Sequence, residues 1–91
     1  MATLSGIESE VLKYLKSSLH HNKFEGVKAS EIANNIDRPL KDVVDACEKL
    51  DQKELADIER RDTVKGTVKD LEIHIKDQGL EYLAREMGIP L

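Results

Sequence analysis

The sequence predicts an α+β domain in which helices come first and a β-hairpin follows. Apolar residues recur every three or four positions over 7–19 and again over 40–52, which is the spacing of one helical face. Over 71–75 the period changes to two, as in a half-buried strand. A chain of 91 residues provides enough apolar surface for a single domain spanning 1–91.

The N-terminal half of the chain predicts two helices with a very short strand between them. The first helix runs from Ile7 to Leu19, and Ser5 and Glu8 have the spacing of a capping box. A strand is expected at 27–28, followed by a second helix for which Ser30 is the expected N-cap.

A turn at 37–39 leads into the third helix, which runs from Pro39 to about Gln52. Proline suits the first helical position, because its missing amide hydrogen would have no partner there. One face of this helix is apolar, so Cys47 is expected in the core together with Leu40, Val43, Val44 and Leu50.

The remaining sequence predicts a hairpin and a closing helix over 77–87. A turn centred between Lys65 and Gly66 places all the apolar strand residues on one face. The expected cross-strand pairs are Ala56 with Ile75, Ile58 with Ile73, and an outward-facing Arg61 with Asp70.

The order of these elements resembles the winged helix-turn-helix domain of small prokaryotic and archaeal transcriptional regulators. The resemblance covers nearly the whole chain and is carried by three segments. ASEIANNIDRPLKDVVDACEKL is similar to the helix-turn-helix, ERRDTVKGTVKD to the wing, and IKDQGLEYL to the exit from strand to helix. The resemblance implies a three-helix core with a C-terminal β-hairpin wing and a closing helix.

The resemblance also implies a double-stranded DNA partner. In that family the third helix enters the major groove, which makes Lys41, Lys49 and Gln52 the candidate contacts on that helix. The wing reaches phosphates, and its candidate contacts here are Arg60, Arg61, Lys65 and Lys69. These four cations stand against one acid, Asp62, so the segment from 60 to 69 carries 4 − 1 = +3 in a protein of net charge −4.

A second hypothesis is a winged-helix protein-interaction module within a larger assembly. From Arg38 to Lys53 four cations and four carboxylates cancel, so this segment, which contains the helix at 39–52, is neutral and carries acids that phosphates would repel. A neutral segment of this kind favours a protein partner. The sequence leaves both hypotheses open.

Other classes of function have little support in the sequence. No nucleophile, base and orienting group stand together, so we expect neither an enzyme nor a cofactor. One cysteine and three histidines, two of them adjacent at His20 and His21, do not predict a metal site. With no apolar membrane span and no secretory leader, we expect a cytoplasmic protein. The closing helix is short and offers little surface for a symmetric interface, so we expect a monomer or a weak homodimer.

Overall fold

A computed structural model describes residues 4–19 and 26–89. These residues form four helices and a three-stranded antiparallel sheet, which confirms the predicted α+β class. The predicted helix bounds agree with the structure to within one residue at each end. In chain order the elements are α1 (Gly6–Ser18), β1 (Val27–Lys28), α2 (Ala29–Ile36), α3 (Leu40–Gln52), β2 (Ala56–Val64), β3 (Thr67–Ile75) and α4 (Asp77–Glu86).

The start of α1 is capped as predicted and is also tied to the end of α3. Ser5 Oγ accepts a hydrogen bond from the Glu8 amide at 3.3 Å. The buried Glu8 carboxylate lies 2.7 Å from Lys53 Nζ, the residue that follows α3. Burial alone would raise the pKa of Glu8, but the hydrogen bond and charge of Lys53, with hydrogen bonds from Ser5, hold it below its ordinary value.

The cap of α2 differs from the prediction. The helix begins at Ala29, so Ser30 lies inside its first turn and is not the N-cap. Asp70 of β3 binds this turn instead, accepting from the Ser30 amide at 3.1 Å and from Ser30 Oγ at 2.7 Å. Burial alone would raise the pKa of Asp70, but hydrogen bonds from Ser30 and the Leu71 amide hold it below its ordinary value.

The predicted turn between α2 and α3 is present. Asp37 has a left-handed backbone with φ of 56° and ends α2. Pro39 is the N-cap of α3 and not its first helical residue, because its backbone is extended and its carbonyl accepts the first helical hydrogen bonds.

The sheet has the order β1-β3-β2, and its inner face follows the predicted register. Ile58 lies opposite Ile73 and Ala56 opposite Ile75, as expected. An irregularity in the pairing between residues 58 and 60 then shifts the register, so Arg61 lies opposite Leu71. The predicted pairing of Arg61 with Asp70 is therefore wrong, because one extra residue in a strand moves every later pair.

The hairpin turn is formed by Lys65 and Gly66, as the sequence predicted. Both residues have positive φ, 52° and 79° respectively. Positive φ at both central positions is the geometry of a type I′ turn, whose twist matches that of the two strands.

The core lies between α1, α2, α3 and the inner face of the sheet, and α4 closes one end. Each of these elements contributes a side chain with less than 2% exposure: Leu12, Ile32, Leu50, Ile73 and Leu83. Cys47 is buried among them, as predicted, and burial raises the pKa of its thiol to about 12. In α4, Gly79 passes so close to the Leu55 carbonyl that no Cβ fits between them.

Candidate nucleic-acid interface

A groove of about 480 Å³ separates the N-terminal half of α3 from the tip of the hairpin. We refer to it as the α3–hairpin groove. On the α3 side it is lined by Leu40, Lys41, Val44, Asp45 and Glu48, and on the hairpin side by Thr67, Val68 and Lys69. It lies between the two segments for which the sequence predicts nucleic-acid contacts.

Arg61 connects the two walls of this groove. Its guanidinium binds the Glu48 carboxylate of α3 through Nη2 at 2.6 Å and through Nε at 3.1 and 3.2 Å, and Asp51 lies 3.7 Å away. The hydrogen bond to Glu48 raises the pKa of Arg61. The register shift in β2 accounts for this contact, since it turns Arg61 toward α3 instead of outward.

Arg60 is held more loosely than Arg61. Its guanidinium lies 3.4 Å from Glu72 and 3.6 Å from Asp62, and 60% of its side chain is exposed. Exposed ion pairs of this length contribute little to stability and are readily exchanged for another anion. Arg60 therefore remains accessible to a phosphate, whereas Arg61 is engaged within the protein.

The four candidate lysines are exposed, and within the described part of the chain none of their ammonium groups makes an ion pair. Lys41 and Lys69 face each other across the α3–hairpin groove, and Lys65 lies at the hairpin turn. Lys49 lies on the other side of α3, beside the start of α1. Gln52 is exposed at the end of α3, outside the groove.

The acids of α3 fall into two groups. Glu48 and Asp51 lie against Arg61, and their charge is partly neutralised. Asp42 and Asp45 are exposed and make no ion pair within residues 4–19 and 26–89. The repulsion of phosphates expected from the α3 sequence is consequently smaller than the count of acids suggests.

The apolar part of this face was not predicted from the sequence. Leu40, which we placed in the core, is 36% exposed and lines the groove. Val64 beside the turn is 53% exposed, and Val68 lines the groove from the hairpin. Leu40 is the first residue of α3. The helical spacing places it on the inward face of α3, but at this end of the helix the side chain lies at the edge of the core and stays partly exposed. The feature of the sequence that could have indicated this apolar surface is the pair of valines, Val64 and Val68, in the basic hairpin segment.

His74, expected to be simply exposed, lies on the outer sheet face with 37% of its side chain exposed. Its Nδ1 is 2.9 Å from Glu59 Oε1 but lacks the geometry of a hydrogen bond, and Asp57 lies 3.8 Å from its Nε2. In residues 4–19 and 26–89, no group of three or more His, Cys, Asp and Glu side chains is placed to hold a metal. His20 and His21 lie outside the described residues.

None of the helices in the described part of the chain has the length and apolarity to cross a membrane. Comparison with known proteins adds no identification. No protein-family model matches the chain, and no curated protein matches it significantly.

Proposed function

We propose that this chain is a winged-helix DNA-binding protein, acting as a transcriptional regulator. In this proposal α3 enters the major groove and the β-hairpin is the wing that contacts phosphates. The order of the elements supports the assignment, since a helix, a short strand, two helices, a hairpin and a closing helix follow one another as in winged-helix domains.

The contact of Arg61 with Glu48 is the observation that carries the proposal. It neutralises the carboxylate of α3 nearest to the hairpin and leaves Lys41, Lys65 and Lys69 without an anion in the described chain. The free charge at the hairpin tip and the adjacent edge of α3 is therefore positive even with the unpaired Asp45 counted, although the whole protein has a net charge of −4. Local positive charge of this kind supplies most of the affinity of non-specific DNA binding.

The same contact fixes the geometry of the face. A bidentate guanidinium–carboxylate pair has a defined orientation, so it holds the hairpin against α3 before any ligand binds. A wing and a helix that are already oriented lose less conformational entropy when they bind a rigid duplex.

An amide NMR titration with a generic short duplex tests the proposal, first at low salt and then near physiological ionic strength. We expect salt-sensitive shifts in the hairpin tip and along the exposed side of α3. The variant Lys65→Gln/Lys69→Gln should bind several-fold more weakly. Lys13→Gln/Lys16→Gln, which also removes two positive charges but from α1, is the matched control and should bind like the wild type.

Absence of shifts at low salt would refute DNA binding. Equal weakening by the control and the hairpin variant would also refute it, because it would show attraction to the overall charge with no defined interface. Arg61 is left intact in these variants, since its loss would alter both walls of the groove.

A protein-interaction module is the second candidate, and the exposed apolar side chains favour it. Leu40 and Val68 line a groove that phosphates cannot fill favourably, and Val64 beside the turn is also exposed. Exposed apolar surface rimmed by polar residues is typical of protein-binding sites.

A further inference from the structure

We infer that the α3–hairpin groove binds a short acidic, amphipathic peptide segment of a partner protein. The inference rests on the second function proposed above and specifies the chemistry of its partner. In this proposal, bulky apolar side chains of the peptide fill the floor of the groove. Its aspartate or glutamate side chains contact the charged rim.

The floor of the groove determines the apolar half of this ligand. Leu40, Val44 and Val68 line it with aliphatic side chains, and Thr67 lies beside them in the lining. A volume of about 480 Å³ lies within the range of sites that enclose a small molecule or a few side chains. Anchoring of apolar side chains in such a groove is how amphipathic helices are commonly recognised.

The rim determines the charged half of the ligand. Of its four charged residues, Glu48 is already bound to Arg61, so its carboxylate does not attract cations from a partner. Lys41 and Lys69 remain on opposite walls, against Asp45 as the one unpaired acid of the groove lining. The rim therefore carries a net positive charge, which is complementary to an acidic peptide and repels a basic one.

The groove also lies where the proposed DNA interface would be. Lys41 and Lys69 serve as candidate phosphate contacts and as the rim of the groove, so a duplex and an acidic peptide would use the same two cations. The two ligands should compete, whereas Lys65 at the turn, outside the groove lining, should matter for DNA alone.

The test is a selection from a random peptide library displayed on phage, using the intact chain as bait. Leu40→Ser serves as the counter-selection bait, because Leu40 is partly exposed and its replacement leaves the fully buried core in place. We expect enriched peptides that combine two or three bulky apolar residues with aspartate or glutamate. A synthetic peptide with an enriched sequence should shift the amide resonances of Leu40, Val44 and Val68 in NMR spectra.

Binding of that synthesised peptide should weaken roughly tenfold or more in Leu40→Ser, since one apolar anchor in a groove is worth about that factor. Lys65→Gln is the matched control and should retain peptide affinity while losing DNA affinity. Thermal unfolding of each variant checks that the fold is retained. A short duplex added to the complex should displace the peptide.

Three results would overturn the inference. Enriched peptides that are basic would contradict the charge of the rim. Peptides that bind α3 with equal affinity in wild type and Leu40→Ser would leave the protein-interaction function standing but place it outside the groove. If no peptide is enriched and duplex DNA shifts the amides of Leu40 and Val68, both this inference and the protein-interaction function are refuted. The groove would then be part of the DNA interface.

Discussion

At the scale of single residues, the structure separates two arginines that are adjacent in sequence. Arg60 is mostly exposed, whereas Arg61 holds Glu48 in a bidentate contact. Both were predicted to contact phosphates through the same basic cluster. Their different environments mean that the charge of Arg60 is available to a ligand, while that of Arg61 first offsets the acids of α3.

Because Arg61 neutralises Glu48, we expect substitutions of these two residues to have different effects on DNA affinity. Arg61→Gln removes a cation and exposes the Glu48 carboxylate, so DNA affinity should fall several-fold. Glu48→Gln removes the repelling carboxylate and frees the guanidinium, so affinity should be unchanged or higher. Fluorescence anisotropy with a labelled duplex measures both. Equal losses in the two variants would show that the contact acts only by holding the hairpin in place.

Asp70 gives a second prediction at this scale, in the free energy of unfolding. Its carboxylate accepts two hydrogen bonds from Ser30 in the first turn of α2. Asp70→Asn removes the charge that strengthens these bonds, so this variant should lose about 1 kcal/mol at neutral pH. Because the pKa of Asp70 is lowered in the folded state, its contribution is complete above the unfolded pKa, which is about 3.9. The contribution is lost as the pH falls through the folded pKa.

Urea unfolding of wild type and Asp70→Asn at pH 7 and at about pH 3 measures this dependence. The difference between the two proteins should be largest at pH 7 and should shrink under acid conditions. Asp45→Asn, at an exposed position beyond the first turn of α3, is the control and should unfold like the wild type at neutral pH. A difference that stays constant with pH would show that the charged form of Asp70 is not what stabilises α2.

At the scale of elements, the packing of α4 depends on a residue without a side chain. Gly79 lies against the Leu55 carbonyl and the Ile75 side chain, and a Cβ there would overlap the backbone oxygen. Alanine would favour the helix by about 1 kcal/mol on propensity alone, but α4 would have to move away from the sheet. We therefore expect Gly79→Ala to destabilise the protein despite its better helix propensity.

Gly6→Ala is the matched control for this prediction. Gly6 is also a helical residue, in α1, and nothing lies within 4 Å of the position of its Cβ. This variant should be as stable as the wild type or slightly more stable in thermal unfolding. If both alanine variants were stabilised, close contact would not be what requires glycine in α4.

The elements that the sequence predicted well are those set by local pattern. Helical spacing gave the bounds of α3, and strand alternation with a Lys65-Gly66 turn gave the hairpin and its inner pairs. The irregularity after Ile58 carried no sequence signal, so the direction of Arg61 could not be predicted. The cap from Asp70 joins residues 40 positions apart, and no local pattern reports such a contact.

The candidate site was predictable in composition but not in shape. The cluster of cations on the hairpin was predicted from the sequence, and the structure places Lys41 and Lys69 on facing walls of a groove. The apolar floor was not foreseen, because helical spacing alone assigned Leu40 to the core. Only the packed structure distinguishes an apolar residue at the edge of the core from one inside it.

At the scale of the whole molecule, a protein with a net charge of −4 could bind DNA only through a few local cations, and this would limit how strongly the proposed binding depends on salt. If Lys41, Arg60, Lys65 and Lys69 are the phosphate contacts, log K should fall against log salt with a slope between about −3 and −4. Lys65→Asn should reduce the slope by about 1. Asparagine tolerates positive φ, so the turn should still form. Anisotropy titrations at several salt concentrations give these slopes, and the same small slope for both proteins would exclude the hairpin turn from the interface.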